Sequence, residues 1–141
     1  MNRVYWDTMT FVYLLEGHME FGPQVRTVYE SITHGGDKIC TSVFTVGELL
    51  VRPREKADYN AISLISNFMQ SGEIELLPFA FSTAEQYGNV RASARVKPAD
   101  AIHLSTAILA NVKFFLTNDH DLLKLKMPGL PLMVGLDGKI F

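Results

Sequence analysis

Short apolar runs, separated by stretches with helical spacing, limit the fold of this chain more than any other feature. Arg3 to Trp6 is a brief apolar run ending at Asp7, and it reads as a buried strand. KICTSV (38–43), EIELLPF (73–79) and KFFLT (113–117) read as further strands, and LPLMVGL (130–136) as a last strand or edge segment. Between them lie amphipathic stretches. Thr8 offers an N-cap for MTFVYLLEG, which Gly17 stops. Val25, Val28, Tyr29 and Ile32 mark a second helix that Gly35 and Gly36 end. FTVGELLV is a short helix closed before Pro53. Tyr59, Ile62, Leu64, Ile65 and Phe68 mark another, Ser82 caps TAEQYGNVRASAR, Pro98 opens a helix to about Asn111, and HDLLKL is a short one. Strands that alternate with helices predict an α/β fold with a mostly parallel sheet covered on both faces.

The chain has 141 residues and reads as a single domain over 1–141, with no repeat, low-complexity tract or dividing linker. No stretch is apolar for the ~20 residues a membrane helix needs. Asp7 interrupts the N-terminal run, so no signal peptide is expected. Cys40 is the sole cysteine, which excludes a disulfide framework and a thiolate metal site. A reducing cytoplasm is the simplest location. A net charge of −2 does not advertise nucleic-acid binding, although a bound cation and a local basic patch can supply the missing attraction.

The acids fall where such a sheet binds ligands, at the carboxyl ends of its strands. Asp7 ends the first strand, Asp119 follows the fourth, and Glu48 lies on the helix leaving the second. Asp100 stands in the first turn of its helix, where the dipole favours negative charge. Each acid alone has a structural explanation: a first-turn acid, a solvated helix residue, a cap. Asp7 is harder to explain so, because an acid closing a buried strand must be paired or ligated. Clustered carboxylates repel one another, and a hard cation such as Mg²⁺ or Mn²⁺ resolves the conflict. The chemistry that follows is metal-assisted hydrolysis of a phosphodiester.

Four stretches carry a resemblance: YWDTMTFVYLLEGH (5–18), TSVFTVGELL (41–50), PADAIHLSTA (98–107) and FLTNDHDL (115–122). In this order they resemble the PIN domain, in particular the VapC-like ribonuclease toxins of toxin–antitoxin pairs. The resemblance implies a three-layer α/β/α sandwich and Mg²⁺- or Mn²⁺-dependent endoribonuclease activity with a metal-activated water. It makes Asp7, Glu48, Asp100 and Asp119 the catalytic and metal-holding acids. Glu48 sits in an S-x-x-T-x-x-E pattern with Ser42 and Thr45. Thr8 and Thr117 match hydroxyl positions that orient acids or water, and Asp121 is a cap or outer group beside Asp119. The implied partners are RNA, a small antitoxin protein and a second copy of the chain.

Other residues are read from the sequence alone. His103, one turn after Asp100, is expected to be a core-edge histidine bonded to backbone rather than a ligand, and His18 and His120 to be at the surface. Arg52, Arg54 and Lys56, and Arg91, Arg95 and Lys97, form two basic groups, with Arg91 and Lys97 the candidate RNA phosphate contacts. Tyr13, Phe21 and Tyr29 form a candidate apolar docking patch, and Met9, Met69, Met127 and Met133 read as core filler. A haloacid-dehalogenase-like phosphatase would need an Asp where Met9 stands, and a receiver domain an acid pair where Asn2 and Arg3 stand. The alternative from another class is a catalytically inactive PIN-like module that binds RNA or protein.

Overall fold

The computed structural model describes residues 1–137. Its elements are β1 (Arg3–Trp6), α1 (Thr8–Leu15), α2 (Gly22–His34), β2 (Lys38–Ser42), α3 (Val43–Glu55), α4 (Tyr59–Met69), β3 (Ile74–Leu77), α5 (Phe81–Ser93), α6 (Pro98–Leu109), β4 (Phe114–Leu116), α7 (His120–Leu123) and β5 (Leu132–Val134). The strands form one sheet in the order β3-β2-β1-β4-β5, and all its pairs are parallel.

Two hydrophobic cores lie on opposite faces of this sheet, because successive strand residues point to opposite sides. Val4 and Trp6 of β1 and Phe114 and Leu116 of β4 join Phe11, Val25, Val28, Ile32, Leu49 and Ile65 from α1 to α4. Tyr5 and Phe115 point the other way and join Val90, Ala101, Leu104 and Ala107 from α5 and α6. The three-layer α/β/α sandwich follows. Burying a large apolar side chain such as Phe11 or Phe115 stabilises the fold by about 1.5–3 kcal/mol. The register pairs Tyr5 with Phe115 and with Cys40, so β1, β2 and β4 end close together.

The chain winds from β1 outward to β3, then crosses to the other side of β1 for β4 and β5. The winding therefore reverses between β1 and β4, which opens a crevice at their carboxyl ends. Asp7 follows β1 there, and Thr117 follows β4.

Several local expectations needed correction. Asp7, not Thr8, caps α1, because its side chain reaches the Thr10 N–H. Ala80, not Ser82, precedes α5, and the Thr83 hydroxyl turns back to accept the Ala80 N–H at 3.0 Å. α3 does not close before Pro53 but runs to Glu55. Its last turn loses one donor at the proline yet is held by Lys56 N–H on the Arg52 carbonyl and Asp58 N–H on that of Pro53. Met9 is half exposed rather than core filler, while Met69 is buried and Met127 and Met133 pack partly buried against the second core. Tyr13, Phe21 and Tyr29 pack partly buried against the first core, which leaves less of them for a surface patch.

Candidate active site

Asp7 reaches the crevice because β1 ends in it. Its Oδ1 accepts the Thr10 N–H at 3.1 Å and the Thr10 hydroxyl at 2.7 Å. Its Oδ2 accepts the Thr117 hydroxyl at 2.5 Å. The residue is 9% exposed, and these three donors offset the cost of burying its charge. Thr117 in turn accepts the Asp119 N–H at 3.1 Å. Asp119 caps α7, taking the N–H groups of Asp121 at 2.9 Å and Leu122 at 3.3 Å on one oxygen. Asp121 is an exposed first-turn acid of that short helix.

Asp100 arrives from the other side, in the first turn of α6 behind Pro98. Burial pushes its carboxyl above the ordinary aspartate range. The charges of Asp119 and Asp7 push the same way, against the pull of His103 and Lys97. Asp7 and Asp119, from two segments distant in sequence, thus both act on Asp100. Asp100, Asp119 and Asp121 line a recess of about 120 Å³ together with Arg95 and Lys97.

Glu48 is carried by α3, whose start is fixed by Ser42 accepting the Phe44 N–H at 3.1 Å. Thr8 donates its hydroxyl to Glu48 Oε1, and His103 Nε2 lies 2.9 Å from the same oxygen. Burial raises the Glu48 carboxyl, but the hydrogen bonds of His103 and Thr8 and the attraction of His103 outweigh it, so the group lies below its ordinary range.

The expectation for His103 is corrected in one respect. It is buried at the edge of the core, but its partners are side chains, not backbone: Glu48 through Nε2 and the Tyr5 hydroxyl through Nδ1 at 2.7 Å. The sequence reading missed Tyr5 altogether. A signal existed: Tyr5 and His103 are polar groups in otherwise apolar segments, and Tyr5 alternates away from Val4 and Trp6 toward the face that α6 covers.

The basic residues divide. Arg95 and Lys97 line the acidic recess. Arg91 is not among its lining residues and instead donates to the Tyr87 hydroxyl at 2.9 Å, one helical turn back. Arg52 and Arg54 lie in the last turn of α3, beyond Glu48. His18 and His120 are exposed, as expected.

The acids brought together here, Asp7, Asp100 and Asp119, offer oxygen donors, with the Thr117 hydroxyl on Asp7; Glu48 stands apart from the recess, held by Thr8 and His103. That set fits Mg²⁺ or Mn²⁺, which takes one or two carboxylates and keeps its waters. The repulsion felt by Asp100 marks uncompensated negative charge of the kind a cation relieves. As the side chains stand, no group of three or more His, Cys, Asp or Glu among the described residues is placed to hold a metal ion by itself.

The sequence matches the family model of the PIN domain over residues 4–127. The chain belongs to the PIN domain family. No curated protein matches it significantly. Among solved structures, this PIN domain is similar to VapBC2 from Rickettsia felis bound to a DNA fragment from its promoter, with 19% identity, 94% of this chain and 98% of that chain covered, and a TM-score of 0.77. It is similar to the Sarcin-Ricin loop cleaving toxin VapC20 of Mycobacterium tuberculosis, with 13% identity, coverage of 84% and 91%, and a TM-score of 0.69. A toxin–antitoxin complex from Klebsiella pneumoniae has 19% identity, coverage of 94% and 97%, and a TM-score of 0.67. At these identities the likeness is one of fold. It agrees with the parallel five-stranded sheet and its two helical layers.

Proposed function

We propose that this PIN domain is a Mg²⁺- or Mn²⁺-dependent endoribonuclease and the toxin of a toxin–antitoxin pair. What supports the reading is the approach of Asp7 and Asp119 to the half-buried Asp100, three acids from three segments near the switch point of the sheet. Asp7, Glu48, Asp100 and Asp119 would hold the cation. Once bound, it would polarise a phosphoryl oxygen and make a nucleophile available at neutral pH. Thr117 orients Asp7 and the start of the Asp119 loop, while Thr8 orients Glu48. Lys97 and Arg95, beside the acids, meet the phosphates that flank the cut. Arg91, held against Tyr87, is a weaker candidate for that work.

The likeness to solved toxin–antitoxin complexes supports a small antitoxin as partner, and the resemblance of the motifs implies a second copy of the chain as a further partner. The chain would act as a single domain in the cytoplasm. No helix among the described residues is long and apolar enough to cross a membrane.

The test is incubation of the purified protein with a mixed small-RNA pool, with Mg²⁺ or Mn²⁺ and with EDTA, beside Asp100→Asn. Fragments that require the metal and vanish in the variant are expected. Fragments made equally by a folded Asp100→Asn protein would overturn the site. The second reading is a PIN-like module that binds RNA or protein without cutting it. The lack of a three-ligand group among the described side chains speaks for it. RNA retained on the protein but never cut, in any metal, would select it.

A further inference from the structure

One element of the site is unused by the reading above: the buried pair behind Glu48. Tyr5 is 0% and His103 3% exposed. A carboxylate only accepts hydrogen bonds, so His103 Nε2, 2.9 Å from Glu48 Oε1, carries the hydrogen. In the tautomer with hydrogen on Nε2 alone, Nδ1 is an acceptor, and the Tyr5 hydroxyl lies 2.7 Å from it. The Tyr5 oxygen accepts the Ser42 N–H at 3.2 Å, which leaves its own hydrogen for His103. Ser42 is also the cap of α3, the helix that bears Glu48. Thr8 donates to the same Glu48 oxygen, and its Oγ1 is 3.2 Å from His103 Nε2. Both donors converge on Oε1, and Oε2 accepts no hydrogen bond from the described residues.

We infer that Tyr5 and His103 are a positioning pair that locks Glu48 through Oε1 and leaves Oε2 as the oxygen with which it takes the cation. The inference rests on the metal-dependent reading and adds to it how one acid is aimed. Four elements meet in the lock, β1, α1, α3 and α6, so it also sets where α3 stands relative to Asp7 and Asp100. Partners of this kind, hydrogen-bonded behind a metal-holding group, are worth about 10–100-fold in metal affinity.

Titration calorimetry with Mn²⁺ on the EDTA-stripped protein tests it. His103→Ala is expected to weaken Mn²⁺ binding about 10–100-fold. Tyr5→Phe, which keeps the ring volume, is expected to weaken it in the same direction, and it carries the test if His103→Ala fails to fold. His103→Gln, whose amide N–H replaces the Nε2 donor, is expected to recover most of the affinity. A merely structural role would lower the melting temperature of the stripped variants and leave their Mn²⁺ affinity at the wild-type value, which overturns the inference. If wild type binds Mn²⁺ and Asp100→Asn does not, that failure belongs to the pair alone. If wild type binds no Mn²⁺, the metal reading fails and the inference with it. Imidazole ¹⁵N shifts give a second readout: hydrogen on Nε2 and a bare Nδ1 are expected for metal-free wild type, and a bare Nε2 overturns the lock.

Discussion

Thr117 donates its hydroxyl to Asp7 at 2.5 Å across a separation of 110 residues. The bond joins the ends of β1 and β4, where the winding of the sheet reverses. Thr117 also receives the Asp119 N–H, so one hydroxyl sets two of the four acids. Thr117→Val keeps the shape and removes both bonds. The buried Asp7 oxygen and the Asp119 N–H lose their partner, at about 1–3 kcal/mol. Urea unfolding is expected to show that loss, and RNA cleavage to fall about tenfold or more. Unchanged stability and unchanged cleavage together would remove Thr117 from the site.

Asp7 has a structural duty and a proposed chemical one, and two substitutions separate them. Asp7→Asn keeps an oxygen for the Thr10 N–H and an amide that can donate to Thr117. It is expected to fold with little loss and to cut no RNA. Asp7→Ala removes the cap of α1 as well, a loss of about 0.5–2 kcal/mol, and strands the hydroxyls of Thr10 and Thr117. Chemical denaturation of the two variants side by side checks the order. An alanine variant as stable as the asparagine one contradicts the capping role.

Asp100 and Glu48 are shifted in opposite directions, so neutralising them should have opposite effects on the metal-free protein. The Asp100 carboxyl is raised on folding from 3.8, by burial and then by Asp119 and Asp7. Its charge therefore opposes folding at neutral pH, and the opposition fades as pH falls through the raised value toward 3.8. Glu48 is lowered from 4.5; the stability it contributes is present above that pH and lost as pH falls through the lowered value. In EDTA at pH 7, Asp100→Asn is expected to melt above wild type and Glu48→Gln below it. Both differences should shrink on acidification. An Asp100→Asn protein that melts lower at pH 7 would refute the crowding of charge.

Cys40 lies buried in β2, where burial pushes its thiol up to about 12, with Glu75 adding to the shift against the pull of Arg3. The thiolate is the reactive form, so it is absent at neutral pH in the folded state. A thiol reagent is expected to label Cys40 only after denaturation. Rapid labelling of the native protein would place Cys40 somewhere other than this core.

Cys40, Asp7 and His103 also mark how far the sequence reaches. Alternating apolar runs and helical spacing are local patterns, so the layers of the sandwich, its parallel strands and the candidate acids, Asp7 and Asp119 after strands and Glu48 and Asp100 on helices, were legible from the chain. Residue type and position also singled out Asp7 as a buried acid in need of partners. What those partners are depends on which strands lie side by side. Thr117 reaches Asp7 because β4 pairs with β1 in register. Tyr5 meets His103 because β1 alternation turns it toward α6. Lys97, rather than Arg91, faces the acids because the chain bends between α5 and α6. Hydrogen bonds act over about 3 Å, and only tertiary packing brings groups so distant in sequence within that range.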